Sequence, residues 1–399
     1  MSAQDLAIQG IDLQGRAVGI TISDGKVSAV RPLEAGGAGA VADKGEGPGR
    51  GPRVLPGLID IQVNGFGGYD LNAAGASIDE VAGVVRALWR HGVTRLCPTV
   101  CTQSHGHMVA AMRAIARACR EEPWIDRAVV GIHVEGPYIS PEDGPRGAHP
   151  KAHVRLPDWD EVQAFQETAG GRVRMMTLAP ELPGAVSLVE RLVRSGIVPA
   201  LGHTAASREE IAAATVAGAR ISTHLGNGSH AMIPRHHNYI WEQLAQDGLW
   251  ASLIVDGHHL PPAVVKVFIR AKGIERCILT SDAVWLAGQE PGIYDFLGVK
   301  VELTPSQGVR LIGTEYLAGS ALDLATAVAN VVPFAGVGLA DAVAMASERP
   351  AQLFGRDDLG GLAPGQAGDA VLARWHEEEA RLEVLRTVVA GEVVYTSPS

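Results

Sequence analysis

Four side chains suited to metal or proton chemistry each follow a short apolar run: Glu135 in AVVGIHVEGP, His203 in IVPALGHT, His224 in RISTHLGN and Asp282 in RCILTSDAV. Two imidazoles and one carboxylate are a donor set for a catalytic divalent ion such as Zn2+, with a coordination position left open. Such an ion activates water near neutral pH and polarises a carbonyl. Asp282 then has a task, taking a proton from the attacking water and passing it to a departing nitrogen. A single His in such a place is more often a satisfied polar core residue. The shared placement of all four groups is what singles them out. Other polar groups end the same kind of run: Asp60, Gln62 and Asn64 in VLPGLIDIQVNG, His133 beside Glu135, Asn227 after His224, and Asp256, His258 and His259 in LIVDGHH.

The elements that must position these groups read as strand then helix, repeated. Eight strand candidates fall between residues 54 and 284, separated by helical patterns such as AVSLVERLVRSG and SREEIAAATVAG. Such alternation implies an α/β fold with a parallel sheet, and eight units favour a closed (β/α)8 TIM-type barrel. No GxGxxG follows the first strand, which argues against a dinucleotide fold. In a barrel, groups that do chemistry lie at the C-terminal strand ends. SIDEVAGVVRALWRHG reads as a helix opened by a capping box of Ser77 and Glu80. Before the barrel, LAIQGIDL, RAVGITI and KVSAVRPL read as short strands, followed by a Gly/Ala-rich stretch, EAGGAGAVADKGEGPGRGPR, that reads as a surface loop. After it, GLAPGQAGDAVLARW and RLEVLRTVVAGEVVYT return to strands. The expected organisation is a barrel over residues 55–354 and a small discontinuous β-sandwich built from residues 1–54 and 355–399.

Composition narrows the function. The 399 residues are 46% hydrophobic and 20% charged, as in a soluble globular enzyme. The net charge is −10 and no Lys/Arg cluster tracks a phosphate backbone, so nucleic acid is not an expected partner. The four cysteines form no CxxC pair and read as reduced, buried thiols, Cys97 and Cys101 lying inside the strand-like CPTVC. The first residues show no basic-then-apolar leader, and no apolar run reaches the roughly 18 residues of a membrane span. A cytoplasmic protein without a membrane partner is expected.

HVEGPYISPEDGPRGAHP, ALGHT, STHLGNG, IVDGHH and LTSDA, with PGLIDIQVNGFGG before them, resemble the successive motifs of the N-acetylglucosamine-6-phosphate deacetylase family within the amidohydrolase superfamily. SERPAQLFG and GLAPGQAGDAVL extend the likeness to the C-terminal end. The resemblance implies that Glu135, His203 and His224 bind the metal and that Asp282 is the catalytic acid/base. It implies that His149 contacts the substrate near its carbonyl or sugar hydroxyls, and that Asn227 and the backbone of Gly228 sit beside its phosphate or ring end. Arg235 and His259 match positions that hold phosphate, a task that suits the planar fork of Arg. The implied activity is hydrolysis of the N-acetyl amide of an amino sugar, N-acetylglucosamine 6-phosphate, by a homodimer.

Two features depart from that pattern. Gln62 and Asn64 stand where many amidohydrolases carry a His-x-His pair, and neither amide is a strong zinc ligand. One metal ion per subunit is therefore expected, Zn2+ or another transition ion such as Fe2+, with Gln62 near it. No strand-end Lys is placed to bridge two metals. Second, Arg235 stands 11 residues after His224, but the residues that follow it, HHNYIW, do not match the family. Tyr239 and Trp241 there could stack on a sugar ring or pack a helix. This altered segment motivates an alternative substrate, an unphosphorylated N-acetyl sugar or an N-acyl amino acid. A non-catalytic binding barrel is the remaining alternative, and the full set of ligands argues against it.

Overall fold

The computed structural model describes residues 5–33, 51–296, 299–313 and 317–398. Three N-terminal strands, β1 (Leu6–Ile11), β2 (Ala17–Ser23) and β3 (Lys26–Pro32), form an antiparallel meander. The Gly/Ala-rich stretch expected to be a loop lies, over residues 34–50, outside the described residues. The apolar run that follows is one stretch in sequence but two strands in space. β4 (Arg53–Pro56) joins the meander through a parallel contact of Arg53 with Ile11, whereas β5 (Leu58–Val63) enters the barrel. The break is at Gly57, where a Cβ would lie 2.1 Å from Thr94 Oγ1, so no larger residue fits the crossing.

After β5 come the small hairpin β6 (Gly65–Phe66) and β7 (Tyr69–Asp70), then α1 (Ile78–Trp89). The Ser77 side chain accepts from the Glu80 backbone N–H, but the Glu80 carboxylate accepts from Asp70 N–H at 2.8 Å instead of reaching back to Ser77. Half of the expected capping box is thus spent holding the β6–β7 hairpin against α1. The alternation continues with β8 (Val93–Cys101), α2 (His105–Glu121), α3 (Pro123–Ala128), β9 (Ile132–Glu135), α4 (Trp159–Thr168), β10 (Val173–Leu178), α5 (Ala185–Arg194), β11 (Val198–Leu201), α6 (Arg208–Ala217), β12 (Ile221–Ser222), α7 (Tyr239–Ala245), β13 (Trp250–Leu253), α8 (Pro262–Lys272) and β14 (Cys277–Leu279).

The eight strands β5 and β8 to β14 form one parallel sheet in chain order, the expected (β/α)8 arrangement. Its two edges meet. Val63 bridges Ala283 in parallel, Asp282 N–H donates to Gln62 O at 3.0 Å, and Asn64 N–H donates to Ala283 O at 2.8 Å. Asp60 pins the same seam from inside, accepting from Thr280 Oγ1 at 2.8 Å and Ser281 N–H at 3.2 Å. The barrel interior is packed by Ile61, Met175, Ala200, Ile221, Trp250 and Ile278. Its N-terminal end is plugged by Leu353 and Phe354, at the end of a later helix.

Between β14 and the remaining helices the chain inserts four antiparallel strands, β15 (Gly292–Phe296), β16 (Val299–Leu303), β17 (Gly308–Leu311) and β18 (Leu317–Ser320), which the sequence reading did not anticipate. Helices α9 (Leu324–Val331), α10 (Leu339–Met345) and α11 (Glu348–Leu353) follow. The chain then returns through β19 (Ala370–His376), β20 (Arg381–Val389) and β21 (Glu392–Thr396), and β19 pairs antiparallel with β4, as expected. The two chain ends therefore share one seven-stranded sheet, ordered β21-β20-β19-β4-β1-β2-β3. The sheet curls so that the β2–β3 turn reaches the far side: Gly368 N–H donates to Gly25 O at 2.8 Å and Gly391 N–H to Gly368 O at 3.0 Å. Ile8, Ile20, Ile22, Val27, Val54, Ala370 and Val388 fill the space so enclosed. Among the described residues no helix is long and apolar enough to cross a membrane.

A buried ion pair fastens this sheet to the barrel. Arg95 of β8 and Asp369, just before β19, meet in a fork at 2.6 and 3.1 Å, and Asp369 Oδ1 also accepts from Ala390 N–H at 2.8 Å. Arg95 also donates to Arg127 O. Removing one member of a buried pair strands the other charge. Asp369→Ala is expected to lower unfolding stability by about 3–5 kcal/mol. The paired replacement of Arg95 by Met and Asp369 by Leu should cost clearly less; urea denaturation of the two variants measures the difference.

Candidate active site

The C-terminal ends of the strands bring the four sequence-selected groups together. Glu135 ends β9, His203 and His224 follow β11 and β12, and Asp282 follows β14. His203, His224 and Asp282 each leave their strand in the left-handed backbone region, at φ of 50°, 29° and 50°. Non-glycine residues held there are strained by about 1–3 kcal/mol each, and such strain concentrates at functional sites. Here it falls on three of the four groups.

Glu135 Oε1 is the hub. His203 Nε2 lies 3.2 Å from it, His224 Nε2 3.0 Å, and the two Nε2 atoms are 3.1 Å apart. His149 joins from the loop after β9, its Nε2 3.2 Å from His203 Nε2 and 3.9 Å from Glu135 Oε2. Glu135, His149 and His203 thus also present three donor atoms within 4.8 Å of one another, so His149 belongs to the donor cluster itself and not only to its rim. All four side chains are buried. Burial alone would raise the Glu135 carboxyl, but the hydrogen bonds of His203 and His224 hold it well below the usual carboxylate range. Burial works against a charge on His224 too, yet Glu135 wins and raises it. Burial and the neighbouring His203 push His149 down to about 3, leaving a neutral ring at pH 7.

The donor set fits a divalent ion. His203 Nδ1 faces the Pro145 carbonyl at 2.9 Å, and a carbonyl only accepts. Nδ1 therefore carries a proton, and in the tautomer with Nε2 unprotonated the ring turns the Nε2 lone pair into the cluster. That lone pair meets two more imidazole nitrogens and a carboxylate oxygen, all within 3.2 Å. Too few protons are available to satisfy so many acceptors, and a cation resolves the crowding. Donor atoms 3.0–3.2 Å apart are also spaced as neighbours around one ion whose bonds are about 2.0–2.2 Å long.

Asp282 is held beside the cluster. Asn64 Nδ2 donates to its Oδ1 at 2.8 Å. Burial, and then the Glu135 carboxylate, raise its pKa against the pull of His224, His259 and Asn64. A carboxyl raised in this way suits a group that must both take and give a proton. Gln62 Nε2 donates to Glu135 Oε1 at 2.8 Å. The two amides that replace the His-x-His pair therefore serve as hydrogen-bond donors to the two carboxylates.

Glu135, His149, His203, His224, Asp282 and Asn64 line a cavity of about 400 Å³, while Gln62 is not among its lining residues. Asn227, Gly228 and His259 line it with them, as the sequence suggested. His259 Nδ1 sits 2.6 Å from Asp256 Oδ2, and both His258 and His259 donate their backbone N–H to Asp256 Oδ1. Asp256 thus aims His259, while His258 turns away to Ser306 O at 2.8 Å. Arg235 is not brought to this cavity: it is exposed, and no Lys or Arg is among the residues that line it. Tyr239 and Trp241 are not lining residues either. Tyr239 is buried with its hydroxyl 2.8 Å from His230 N–H, and Trp241 lies half-exposed on α7.

The lining includes residues the sequence reading passed over. Cys101 ends β8 and Thr102 follows it, and Asp70, Asn72 and Gln103 continue that wall. Val284 and Trp285 follow Asp282, and Leu317, Ala318 and Gly319 come from the inserted sheet. The strand-end rule applied to CPTVCT would have found Cys101 and Thr102. Burial and the Glu135 and Asp282 carboxylates push the Cys101 thiol well above its ordinary range.

Residues 53–394 match the model of the amidohydrolase family. The chain is 34% identical over 346 residues to an N-acetylgalactosamine-6-phosphate deacetylase of Shewanella sp. (strain ANA-3), covering 86% of this chain and 83% of that one. It is 32% identical over 387 residues to an N-acetylglucosamine-6-phosphate deacetylase of Bacillus subtilis (strain 168), covering 95% and 93%. Among solved structures it is similar to a mutant N-acetyl-D-glucosamine-6-phosphate deacetylase of Mycobacterium smegmatis in complex with N-acetyl-D-glucosamine-6-phosphate, with a TM-score of 0.83, 29% identity and coverage of 99% and 100%.

The packing around His203 has a measurable consequence. Gly228, at φ 58°, lies so close that a Cβ would stand 2.7 Å from His203 Nδ1 and 3.1 Å from Pro145 O. Gly228→Ala must displace the bond that orients His203. Losses of such supporting bonds weaken metal affinity about 10–100-fold. That drop is expected in a competition titration with a chromophoric zinc chelator, with folding intact by circular dichroism.

Proposed function

This chain belongs to the amidohydrolase family, and on that premise we propose that it hydrolyses the N-acetyl amide of N-acetylglucosamine 6-phosphate to the amino sugar phosphate and acetate. The observation that carries the reading is the convergence of Glu135, His203 and His224 within 3.2 Å, beside a half-buried Asp282 in a cavity open to substrate. Glu135, His203 and His224 would hold one divalent ion, with His149 next to them; two imidazoles and a carboxylate suit Zn2+ or another transition ion. When bound, the ion supplies Lewis acidity toward the amide carbonyl and makes water a better nucleophile. Asp282 accepts the proton of the attacking water and returns it to the departing nitrogen, its carboxylate kept in place by Asn64. His149, neutral at pH 7, offers a hydrogen bond near the substrate carbonyl.

The other end of the substrate meets His259, Asn227 and the Gly228 backbone. His259, aimed by Asp256, is the cationisable group there outside the donor cluster. Arg235 lies outside this cavity on the loop before α7, between two exposed apolar residues: Met232 of the loop is 91% and Trp241 of α7 47% exposed. We propose that this loop packs in a homodimer and carries Arg235 to the neighbouring cavity. A second reading concerns the sugar. The Shewanella and Bacillus subtilis enzymes match this chain at similar identity, 34% and 32%, which makes the 4-epimer, N-acetylgalactosamine 6-phosphate, a second candidate substrate.

Acetate release from both phosphorylated epimers, their unphosphorylated sugars and N-acetyl amino acids tests these readings. Turnover of the sugar phosphates is expected, and turnover confined to the amino acids contradicts the proposal. Asp282→Asn should lower kcat by about 10²–10⁴-fold. Arg235→Ala should raise KM for the phosphorylated sugar by about 10-fold or more, the worth of one charge-assisted contact, and leave the unphosphorylated sugar unaffected. Light scattering on the same preparation reads the dimer.

A further inference from the structure

Cys101 lies in the site but outside the donor cluster. Its Sγ is 2.9 Å from Asn64 Oδ1 and 3.5 Å from Glu135 Oε2. Asn64 in turn places Nδ2 2.8 Å from Asp282 Oδ1. The direction of this chain follows from what each group can do. In the ionised state, which takes the proton of water, the Asp282 carboxylate only accepts, so the amide turns its NH2 toward it. The amide oxygen is then left facing Cys101, and an oxygen only accepts, so the thiol must donate. A thiol has one proton, and the 2.9 Å contact takes it in preference to the 3.5 Å one.

The links at each end are held. The Cys101 N–H donates to Asn72 Oδ1 at 2.9 Å, and Asn72 Nδ2 donates to Thr99 O at 2.9 Å, so one amide side chain clamps the end of β8. The Asn64 N–H donates to Ala283 O at 2.8 Å, next to Asp282 in the chain, and Asn64 O accepts from Leu71 N–H at 3.0 Å. The Asn64 backbone is thus fixed to the eighth strand, and its side chain is free to rotate unless something holds the oxygen. Cys101 supplies that hold.

We propose that Cys101 and Asn64 form a positioning relay, in which the thiol fixes the Asn64 amide and the amide fixes the carboxylate of Asp282. The inference rests on the deacetylase reading, in which Asp282 moves the proton. Neither Cys101 nor Asn64 needs to touch the substrate. Their effect falls on kcat, because small misplacement of a reacting group costs rate steeply, on the order of 10²-fold for 1 Å.

A double-mutant cycle on the full-length, metal-loaded protein tests the relay, with N-acetylglucosamine 6-phosphate as substrate and metal content measured for each variant. Asn64→Ala is expected to lower kcat about 10–100-fold, with KM within about 2-fold and metal content unchanged. Cys101→Ala should lower kcat about 5-fold or more in the wild-type background and have no further effect in Asn64→Ala, the non-additivity of residues acting through one another. Cys101→Ser, whose hydroxyl also donates, should restore most of the rate. Equal losses from Cys101→Ala in both backgrounds, losses through KM or metal content, or failure of Ser to rescue would overturn the relay. An inactive wild type sinks the deacetylase reading instead. The crystal structure of Cys101→Ala then reads the relay alone: a turned Asn64 amide and a shifted Asp282 support it, and unchanged positions refute it.

Discussion

Glu135 sits on the third barrel strand and Asp282 after the eighth, and only closure of the sheet on itself brings them to one cavity. The seam between β5 and β14 is the constraint from which the rest follows. It is held by the Val63–Ala283 bridge and by the backbone bonds of Asp282 to Gln62 and Asn64 to Ala283. Asp60 adds side-chain bonds to Thr280 and Ser281 from within. Burial pushes Asp60 up to about 6, against those same hydrogen bonds. A titratable carboxyl is thus spent on joining two strands. The seam also brings Gln62 and Asn64 to the carboxylates they serve.

The cluster at the mouth is a second consequence of closure. Polar side chains are stacked beneath it: His133 Nε2 lies 2.7 Å from Thr177 Oγ1, which lies 2.8 Å from Thr223 Oγ1. Burial holds His133 down to about 4, so the ring beneath the cluster is neutral and does not compete for its charge. Below that polar layer come Met175, Ile221 and the plug of Leu353 and Phe354. The packed, apolar base is what lets strained residues persist above it, since a left-handed His or Asp needs surroundings that over-determine its place.

Much of this was legible in the sequence because strand, helix and strand-end chemistry repeat with one rhythm. The eight barrel strands, the pairing of the two chain ends, and the meeting of Glu135, His203, His224 and Asp282 could all be read from that rhythm. What escaped had a physical reason in each case. The inserted sheet from Gly292 to Ser320 carries no strand–helix alternation. Gly57 hides a change of sheet inside one apolar run. Glu80 forms half a capping box because a hairpin distant in neither sequence nor space, at Asp70, offers a better donor to its carboxylate. Cys101 looked like a strand residue, and it is one, but it is the last of β8 and, like Glu135 at the end of β9, it lines the cavity. Arg235 shows the converse. The family resemblance placed it with the phosphate-holding groups, whereas its loop lies outside the cavity of its own subunit.

A single cation held by nitrogen and oxygen donors leaves Cys101 as a hydrogen-bond donor and not as a ligand. X-ray absorption at the zinc edge, on protein loaded with one equivalent of Zn2+, tests it most directly. Nitrogen and oxygen scatterers alone are expected around the zinc, at about 2.0–2.2 Å, with the outer-ring signature of imidazole. A sulfur scatterer at about 2.3 Å would place Cys101 on the metal and contradict it.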